Sequence, residues 1–245
     1  MQLISIIMPY YRKINSVNRT IKSVIKQTYK KFELIIVYDD ETAEDYHKIK
    51  KFIANNKKIR IIKNRKNIGA GQSRNIGIKN SNGSIVTFID SDDTWHPQKL
   101  KKQLNFLNKN NYNFIFCGYK KIFKKKSIEV NIDSEYLSYK DLLKSCEIGL
   151  STVMIKKKII DNNLFTNLKT QEDFAAWLKI TKKHNAFFLN EVLVNWYDTE
   201  NSLSSNFFQK LFDAYKVFYL NQKFSLVKSF YYLMILSANS IKRKF

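Results

Sequence analysis

The sequence of 245 residues is poor in cysteine and offers no cysteine-based site. Its two cysteines, Cys117 and Cys146, lie far apart and in no spacing typical of a metal ligand set or a redox pair. We therefore expect two reduced, buried thiols, as is usual in a cytosolic protein. The N-terminal stretch MQLISIIMPYY lacks the basic start and small-residue cleavage site of a signal peptide, which favours a cytoplasmic location.

Acidic residues are scarce relative to basic ones. Asp and Glu total 21 against 43 Lys and Arg, giving a formal charge of +22 at pH 7. Such an excess favours an anionic partner: nucleic acid, a membrane surface or a phosphorylated substrate. A compositional drift of the source genome explains it equally well, because Lys, Asn and Ile are abundant throughout. Apolar residues at 44% and aromatic residues at 14% exclude a disordered chain.

No apolar run in the C-terminal region is long enough to span a bilayer. The longest, Phe230 to Leu236, falls well short of the roughly 20 residues required. Residues 206–245 have a helical, aromatic-rich pattern interspersed with the basic residues Lys216, Lys223, Lys228, Lys242, Arg243 and Lys244. Two arrangements stay open: the tail lies on an anionic membrane surface, or it packs on its own domain.

Strand and helix patterns alternate along the first hundred residues. The apolar runs typical of buried strands are Leu3–Pro9, Phe32–Val37, Ile59–Ile62 and Ile85–Ile89. Further strands are predicted at Phe114–Tyr119, Ser151–Ile155 and Val192–Trp196, and a hairpin or loop at 120–133. Helical spacing separates these runs, as in Val17, Ile21 and Val24. The alternation predicts an α/β fold with a mostly parallel central sheet flanked by helices, which binds ligands beyond the carboxyl ends of its strands.

Polar residues follow each of the first four predicted strands. They are Pro9-Tyr10-Tyr11, Asp39-Asp40, Asn67-Ile68-Gly69 and Asp90-Ser91-Asp92-Asp93. Because these strand ends meet at one edge of a parallel sheet, four segments should supply polar groups to a single binding rim.

Three carboxylates crowd the end of the fourth strand, at Asp90, Asp92 and Asp93. Clustered carboxylates raise one another's pKa and destabilise a fold unless a cation or hydrogen-bond donors compensate. Hard oxygen ligands of this kind suit Mg²⁺ or Mn²⁺. The alternative is that Asp92 or Asp93 merely caps the helix that begins near Pro97 or shapes a loop.

Two other segments carry candidate chemistry. The segment NIGAGQSRN has glycines that let its backbone approach a ligand and an arginine, Arg74, suited to phosphate. It is neither a Rossmann fingerprint nor a P-loop. The acidic pair Glu172-Asp173 precedes a helical pattern, where it serves either as a general base or simply as favourable charge at a helix N-terminus.

In their order and spacing these segments resemble the family 2 glycosyltransferases, inverting enzymes with the GT-A nucleotide-diphosphosugar-binding fold. The matching segments are SIIMPYY, KQTYKKFELIIV, NIGAGQSRN, FIDSDDTWHPQKL, TQEDFAAWLKI and NSLSSN. The resemblance implies a GT-A domain at 1–205, with a donor half at about 1–100 and an acceptor half at about 101–205, followed by the basic, aromatic helical tail at 206–245.

The resemblance also implies roles for individual residues. Asp173 matches the catalytic base, and Asp92, with Asp90, the ligands of Mn²⁺ or Mg²⁺ bridging the diphosphate. The nucleotide sugar would be bound by Pro9, Tyr11, Asp39 (at the base), Gly69, Arg74, Asp90 and Ser91. The implied activity is metal-dependent, inverting transfer from a nucleotide-diphosphate sugar, expected to be a UDP-sugar, to a hydroxyl of a glycan or lipid-linked acceptor. Bacterial surface polysaccharide or lipooligosaccharide synthesis at the inner face of the cytoplasmic membrane is the expected setting.

The chain departs from the family pattern in three places. Tyr38-Asp39-Asp40-Glu41 stands where Asp-Asp-Gly-Ser is frequent, and Arg12 where Asn is common. Trp196 to Thr199 replaces a frequent Tyr-Arg-x-His, so Ser202 or Ser204 would have to supply part of the missing contact.

Three other functions are alternatives to this one. A non-catalytic relative that binds a sugar nucleotide fits the same residues. A nucleic-acid-binding protein would fit the charge, but the acidic clusters lie where phosphates would bind, so we expect no nucleic-acid partner. A nucleotidyltransferase usually has a glycine- and basic-rich signature after its first strand, which PYYRKINSVN lacks.

Overall fold

The structure, a computed structural model, describes residues 1–123, 126–198 and 207–242. Its strands are β1 (Ile4–Tyr10), β2 (Phe32–Tyr38), β3 (Ile59–Lys63), β4 (Ile85–Phe88), β5 (Thr94–Trp95), β6 (Phe114–Phe123), β7 (Lys126–Val130), β8 (Tyr136–Leu137), β9 (Met154–Lys156) and β10 (Ala186–Tyr197). The α-helices are α1 (Ile14–Ile25), α2 (Glu44–Ile53), α3 (Ala70–Lys79), α4 (Lys99–Lys109), α5 (Tyr139–Lys144), α6 (Glu172–Thr181), α7 (Phe207–Lys216) and α8 (Leu226–Lys242).

The ten strands of the described residues belong to one sheet with the order β3-β2-β1-β4-β9-β6-β10-β5; β7 pairs with β6 and β8 with β10 outside this order. Strands β3, β2, β1 and β4 pair in parallel with one another, and β6 pairs in parallel with β10. The short β9 joins these two parallel groups by antiparallel pairing to β4 and to β6. The predicted mostly parallel sheet is confirmed, and the ends of β1, β2 and β4 lie side by side.

Both faces of the sheet are covered by helices, because its central strands are apolar on both sides. In β1, Ile4, Ile6 and Met8 belong to the core that α1, α2 and α4 complete. Ile7 belongs to the opposite core, which contains α6. On that side α3 packs so closely that a Cβ added at Gly77 would lie 2.3 Å from Ile7 Cγ2.

Some details of the sequence prediction were wrong. Ser151 and Thr152 are not in a strand: 150–152 form a single 3₁₀ turn before β9. The Thr152 hydroxyl donates to the Gly149 carbonyl at 2.6 Å, a local bond that competes with strand formation. The last strand begins at Ala186 rather than Val192. Cys117 is buried as predicted, whereas Cys146 is only half-buried.

The lysine-rich stretch at 120–133 is largely strand. The end of β6 pairs antiparallel with β7, as in a hairpin.

The C-terminal helices pack on the domain. Ala214, Phe218 and Leu236 are buried in the core that contains α6, and the ring centroids of Phe218 and Phe174 are 5.8 Å apart. The helical pattern of the tail is thus confirmed at 207–216, at a π-helical turn at 217–221, and at 226–242, with a short non-helical link at 222–225. Across the described residues, none of the helices is both long and apolar enough to cross a membrane. The predicted domain boundary at 205, like Arg243 and Lys244, lies outside the described residues.

Candidate active site

The three aspartates after β4 have three different partners. Asp93 is buried and accepts a hydrogen bond from Ser151 Oγ at 2.5 Å. Asp90 accepts from Arg74 Nη2 at 2.8 Å, and Asp92 lies 3.1 Å from Lys13 Nζ. The cluster is therefore dispersed by folding, and each carboxylate has its own environment.

The buried Asp93 is linked to Asp90 through Ser151. Burial, together with the charges of Asp90 and Asp92, raises the pKa of Asp93 well above its ordinary value, which favours the neutral acid. Ser151 Oγ bonds Asp93 and also accepts from the Asp90 amide at 3.1 Å, so one hydroxyl fixes both ends of the segment. The capping alternative is wrong, because the N-cap of α4 is Gln98 and no side chain caps it.

Arg74 lies in the interior between two acidic segments. Its Nη1 donates to Glu172 at 2.6 Å and its Nη2 to Asp90 at 2.8 Å, and its side chain is 4% exposed. Burial disfavours the guanidinium charge, but the two carboxylates outweigh it and raise the pKa of Arg74. Arg74, expected at the nucleotide, thus has both terminal nitrogens in contacts that join the end of β4 to the start of α6.

Asp173 lies in the first turn of α6 and is partly exposed. Its Oδ1 accepts from the Phe174 amide at 2.7 Å. Burial, then the neighbouring Glu172, raise the pKa of Asp173 to about 7, against the opposing effect of Arg74. A carboxylate whose pKa lies near neutrality is suited to act as a general base. The residue before α6, Gln171, has a left-handed backbone with φ of 63°, a conformation that costs energy in a non-glycine residue.

The tail supports the segment before α6. Asp213 of α7 is buried, and its Oδ2 accepts from both the amide and the hydroxyl of Thr170 at 3.0 Å. Thr170 precedes Asp173 by three residues. Helix α7 therefore helps to fix the chain that leads to the candidate base.

Asp39, expected at the nucleotide base, organises the loop before α3. It is buried, and its carboxylate accepts from the amides of Ile68 and Gly69 at 3.0 and 2.8 Å and from Asn64 Nδ2 at 2.8 Å. Gly69, with φ of 87°, has the backbone conformation that glycine adopts without strain. Asp39 thereby positions Gly69, and the contact of Asp39 with the base of the nucleotide stays a prediction.

The end of β1 brings further predicted residues to the rim. Pro9 is buried within the strand, whereas Tyr11 is 43% exposed. Arg12 follows in a left-handed conformation with φ of 47°, which Asn tolerates better than Arg, and its Nε donates to Asp40 at 3.1 Å. Ser91 is buried, and its carbonyl accepts from Ser16 Oγ at 3.1 Å.

The residues present fit a divalent cation that arrives with a diphosphate. Within 1–123, 126–198 and 207–242, no three His, Cys, Asp or Glu side chains converge as a ready-made metal site. Asp90 pairs with Arg74, which is 4% exposed, whereas Asp92 pairs with Lys13, which is 29% exposed, so Asp92 is the carboxylate whose partner is easier to displace. Mg²⁺ commonly binds through one or two carboxylates plus substrate phosphates, so one protein ligand is compatible with such a cation.

The sequence reasoning missed Lys13, Arg19 and Ser151 as parts of this site, and it noted Glu172 only as the neighbour of Asp173, not as the partner of Arg74. Arg19 Nη2 donates to the Asp92 carbonyl at 3.0 Å, and its guanidinium lies 3.6 Å from the centroid of the Tyr197 ring. Lys13 lies three residues after the end of β1, a position that could have been noticed, but 43 basic residues in the chain obscure such a signal. The suggested substitutes Ser202 and Ser204 lie outside the described residues.

Comparison with known proteins identifies the family. Residues 5–180 match the family model described as glycosyl transferase family 2. The chain is 32% identical over 211 residues to the Escherichia coli UDP-Glc:alpha-D-GlcNAc-diphosphoundecaprenol beta-1,3-glucosyltransferase WfgD, covering 85% of this chain and 82% of that one. It is 30% identical over 245 residues to the Bacillus subtilis putative teichuronic acid biosynthesis glycosyltransferase TuaG, covering 99% and 97%.

Solved structures share the fold at lower identity. The chain resembles Staphylococcus aureus TarS 1–349 in complex with UDP-GlcNAc with a TM-score of 0.77 at 20% identity, over 95% of this chain and 70% of that one. It resembles the mannosyltransferase PcManGT from Pyrobaculum calidifontis, in complex with GDP-Man and Mn²⁺, with a TM-score of 0.70 at 13% identity, over 94% and 69%. The expected GT-A fold is confirmed, and the sequence, the fold and the family match together show that the chain belongs to glycosyl transferase family 2.

Proposed function

We propose that this glycosyltransferase transfers a sugar from a UDP-sugar to a hydroxyl of a lipid-linked glycan, with inversion at the anomeric carbon and dependence on Mn²⁺ or Mg²⁺. The observation that carries the proposal is Asp173, a partly exposed carboxylate with a pKa of about 7, joined through Glu172 and Arg74 to the acidic segment after β4. Arg74 thereby links the proposed general base, Asp173, to the segment proposed to bind the diphosphate, through its ion pairs with Glu172 and Asp90.

The chain's own residues perform a single displacement. Asp173 removes the proton from the acceptor hydroxyl, whose oxygen forms a bond to the anomeric carbon as the bond to the donor diphosphate breaks. Attack from the side opposite the leaving group inverts the anomeric configuration. Arg74 keeps Asp90 and Glu172 in fixed positions, and Ser151 fixes the backbone of Asp90 and the side chain of Asp93.

Asp92 is the proposed protein ligand of the divalent cation. Asp90, two residues earlier, is proposed to contact the water molecules around the cation. A cation bound there supplies electrostatic stabilisation of the negative charge that develops on the departing nucleoside diphosphate. Mn²⁺ in the Pyrobaculum mannosyltransferase supports the proposal, as does the chemistry of the oxygen ligands.

The choice of UDP and of a lipid-linked acceptor is supported by the relatives. TarS was solved with UDP-GlcNAc, and WfgD is named for a UDP-glucose donor and a diphosphoundecaprenol-linked acceptor. TuaG is named for teichuronic acid biosynthesis. We accordingly place the chain in bacterial surface-glycan synthesis, and retain the division into a GT-A domain at 1–205 and a tail at 206–245.

The tail offers a surface for the membrane that would carry such an acceptor. One side of α8 exposes Val227, Phe230, Tyr231 and Met234, which are spaced as a single stripe, with Lys228 beside them. An exposed apolar stripe with lysines suits the interface of an anionic membrane. We propose contact there with the inner face of the cytoplasmic membrane.

The test of function is a screen of nucleotide sugars with Mn²⁺ or Mg²⁺ and a polyprenyl-diphosphate-linked sugar acceptor, measured as release of nucleoside diphosphate. We expect UDP release and an inverted product by NMR, both abolished by a chelator and restored by added cation. Asp173→Asn should lose transfer at least about 100-fold while still binding UDP. The surface variant Asp161→Asn, which removes only an exposed pair with Lys179, should remain active.

Three results would contradict the proposal. Near-normal turnover of Asp173→Asn would show that Asp173 is not the base. Full activity in excess chelator would show that no cation is needed. UDP-sugar binding without any transfer or hydrolysis would favour the non-catalytic alternative.

The membrane contact is tested separately, by flotation with liposomes containing anionic lipid. Because the tail shares the core with α6, substitutions on the surface are preferable to truncation. Val227→Ser combined with Phe230→Ser should reduce recovery with liposomes, and equal recovery of the two proteins would contradict the contact.

A further inference from the structure

Lys13 places an ammonium group on the carboxylate proposed to bind the cation. Its Nζ lies 3.1 Å from Asp92 Oδ2, and the two side chains are only 29% and 18% exposed. This contact joins the end of β1 to the end of β4, two strands that are paired in the sheet. Lys13 thus lies inside the rim, although neither composition nor motif marked it.

The backbone of Lys13 is anchored while its side chain is long. Its carbonyl accepts from the amides of Ser16 and Val17 at 3.1 and 2.9 Å, at the start of α1. A lysine stem has four rotatable carbons, so the ammonium can move several ångströms while the anchored backbone stays in place. The charge is therefore held at the rim without being fixed to one position.

A divalent cation and an ammonium group that contact the same carboxylate would lie close together and repel each other strongly. The two must compete for Asp92 when no nucleotide is present. A nucleoside diphosphate changes this balance, because it carries more negative charge than one divalent cation neutralises. Its remaining charge offers the displaced ammonium a new partner within the same rim.

We propose that Lys13 is a donor-binding residue that exchanges partners: it neutralises Asp92 in the free protein and binds the donor diphosphate when the cation occupies Asp92. The inference rests on the proposed function, since it takes a nucleoside diphosphate as the ligand. Its consequence is linkage between cation and nucleotide. Nucleotide strengthens cation binding and cation strengthens nucleotide binding by the same factor, and part of that factor depends on Lys13.

The experiment measures Mn²⁺ binding by the EPR signal of the free ion, first with Mn²⁺ alone and then with UDP present. In Lys13→Met the competitor is absent, so Mn²⁺ alone should bind about 3- to 10-fold more tightly than in the wild type. UDP in saturating Mn²⁺ should bind about tenfold more weakly, because a charge-assisted contact is lost. Lys13→Arg keeps the charge and should restore most of the UDP affinity.

Lys26→Met is the matched control, since it removes the same charge from the exposed C-terminal end of the same helix. It should leave both affinities unchanged. Urea unfolding of each variant verifies that the proteins are folded, and Lys13→Gln replaces Lys13→Met if the methionine variant is unstable.

Two results would overturn the inference: Mn²⁺ affinity without UDP that is unchanged or weaker in Lys13→Met, or UDP affinity in Mn²⁺ that equals the wild type. Failure of the proposed function has a different signature. In that case the wild type binds no UDP with any divalent cation, while the comparison with Mn²⁺ alone still reports whether Lys13 competes for Asp92.

Discussion

Replacing Arg74 by Met should destabilise the fold by about 3 kcal/mol at pH 8. The change leaves Asp90 and Glu172 without the buried guanidinium that bonds both of them. Removing one partner of a buried ion pair typically costs about 3–5 kcal/mol, because the other charge stays buried and uncompensated. We expect the lower end, since Glu172 is 13% exposed and Asp90 is 34% exposed, so water compensates part of the loss.

The same change should make stability depend more steeply on pH. Arg74 lowers the pKa of Asp90 and of Asp173, so both values rise when it is removed. A folded protein whose carboxyls have raised pKa values binds more protons than its unfolded chain, and its free energy of unfolding therefore increases as pH falls. The deficit relative to the wild type should be smaller at pH 5 than at pH 8. The midpoint of the acidic limb of the pH–rate profile, expected near pH 7 in the wild type, should shift to higher pH, because Asp173 then ionises at a higher pH.

Urea unfolding at the two pH values measures the effect, and Arg60→Met is the control. Arg60 Nη2 lies 3.4 Å from Glu33 Oε2, with the arginine 40% exposed, so its removal should cost about 1 kcal/mol or less. An Arg74→Met deficit below about 1 kcal/mol, or one that is the same at both pH values, would refute the account of Arg74 as the compensating charge of the site.

Three further changes test other parts of the structure by urea unfolding. Asp173→Asn should be more stable than the wild type at pH 8 but not at pH 4, because a pKa of about 7 means that the ionised form is unfavourable in the fold; equal stability at pH 8 would contradict this. Ser151→Ala should cost about 1–3 kcal/mol, since the buried Asp93 loses its donor, whereas the exposed Ser134→Ala should cost less. Gly77→Ala should lower the free energy of unfolding by about 1–3 kcal/mol, because the new Cβ meets the side chain of Ile7. Adding Ile7→Ala should relieve that clash. A Gly77→Ala variant as stable as the wild type would be inconsistent with the close packing of α3.

The donor half of the fold was predictable because its strands are buried on both faces. Runs such as Phe32–Tyr38 consist almost wholly of apolar residues, so strand identity follows from local composition, and the parallel order follows from the helices between them. The ends of those strands could therefore be assigned to one rim. Because the structure confirms the order of these strands, the prediction that Asp39, Asp90 and Tyr11 share one rim follows from the sheet topology and not from motifs alone.

What could not be predicted depends on contacts between distant residues. Arg74 and Glu172 are 98 positions apart, and Ser151 and Asp93 are 58 apart. No periodicity or propensity relates such pairs, because they meet only when the whole sheet is assembled. The 3₁₀ turn at 150–152 was missed for a different, local reason: the Thr152 hydroxyl donates to the Gly149 carbonyl, a bond that competes with strand formation and that an apolar pattern does not reveal.

The partners of the three aspartates reconcile a basic protein with an acidic site. The charge of +22 attracts anionic molecules to the surface as a whole. At the rim acidic side chains are concentrated: Asp90 and Glu172 pair with Arg74, Asp92 pairs with Lys13, and Asp173 adds negative charge as pH rises above about 7. We therefore expect a diphosphate without a cation to be repelled by these carboxylates, whereas one that brings a divalent ion would reverse the local sign. On the proposed function, the overall charge would concentrate anionic ligands and the site would favour those that carry their own cation.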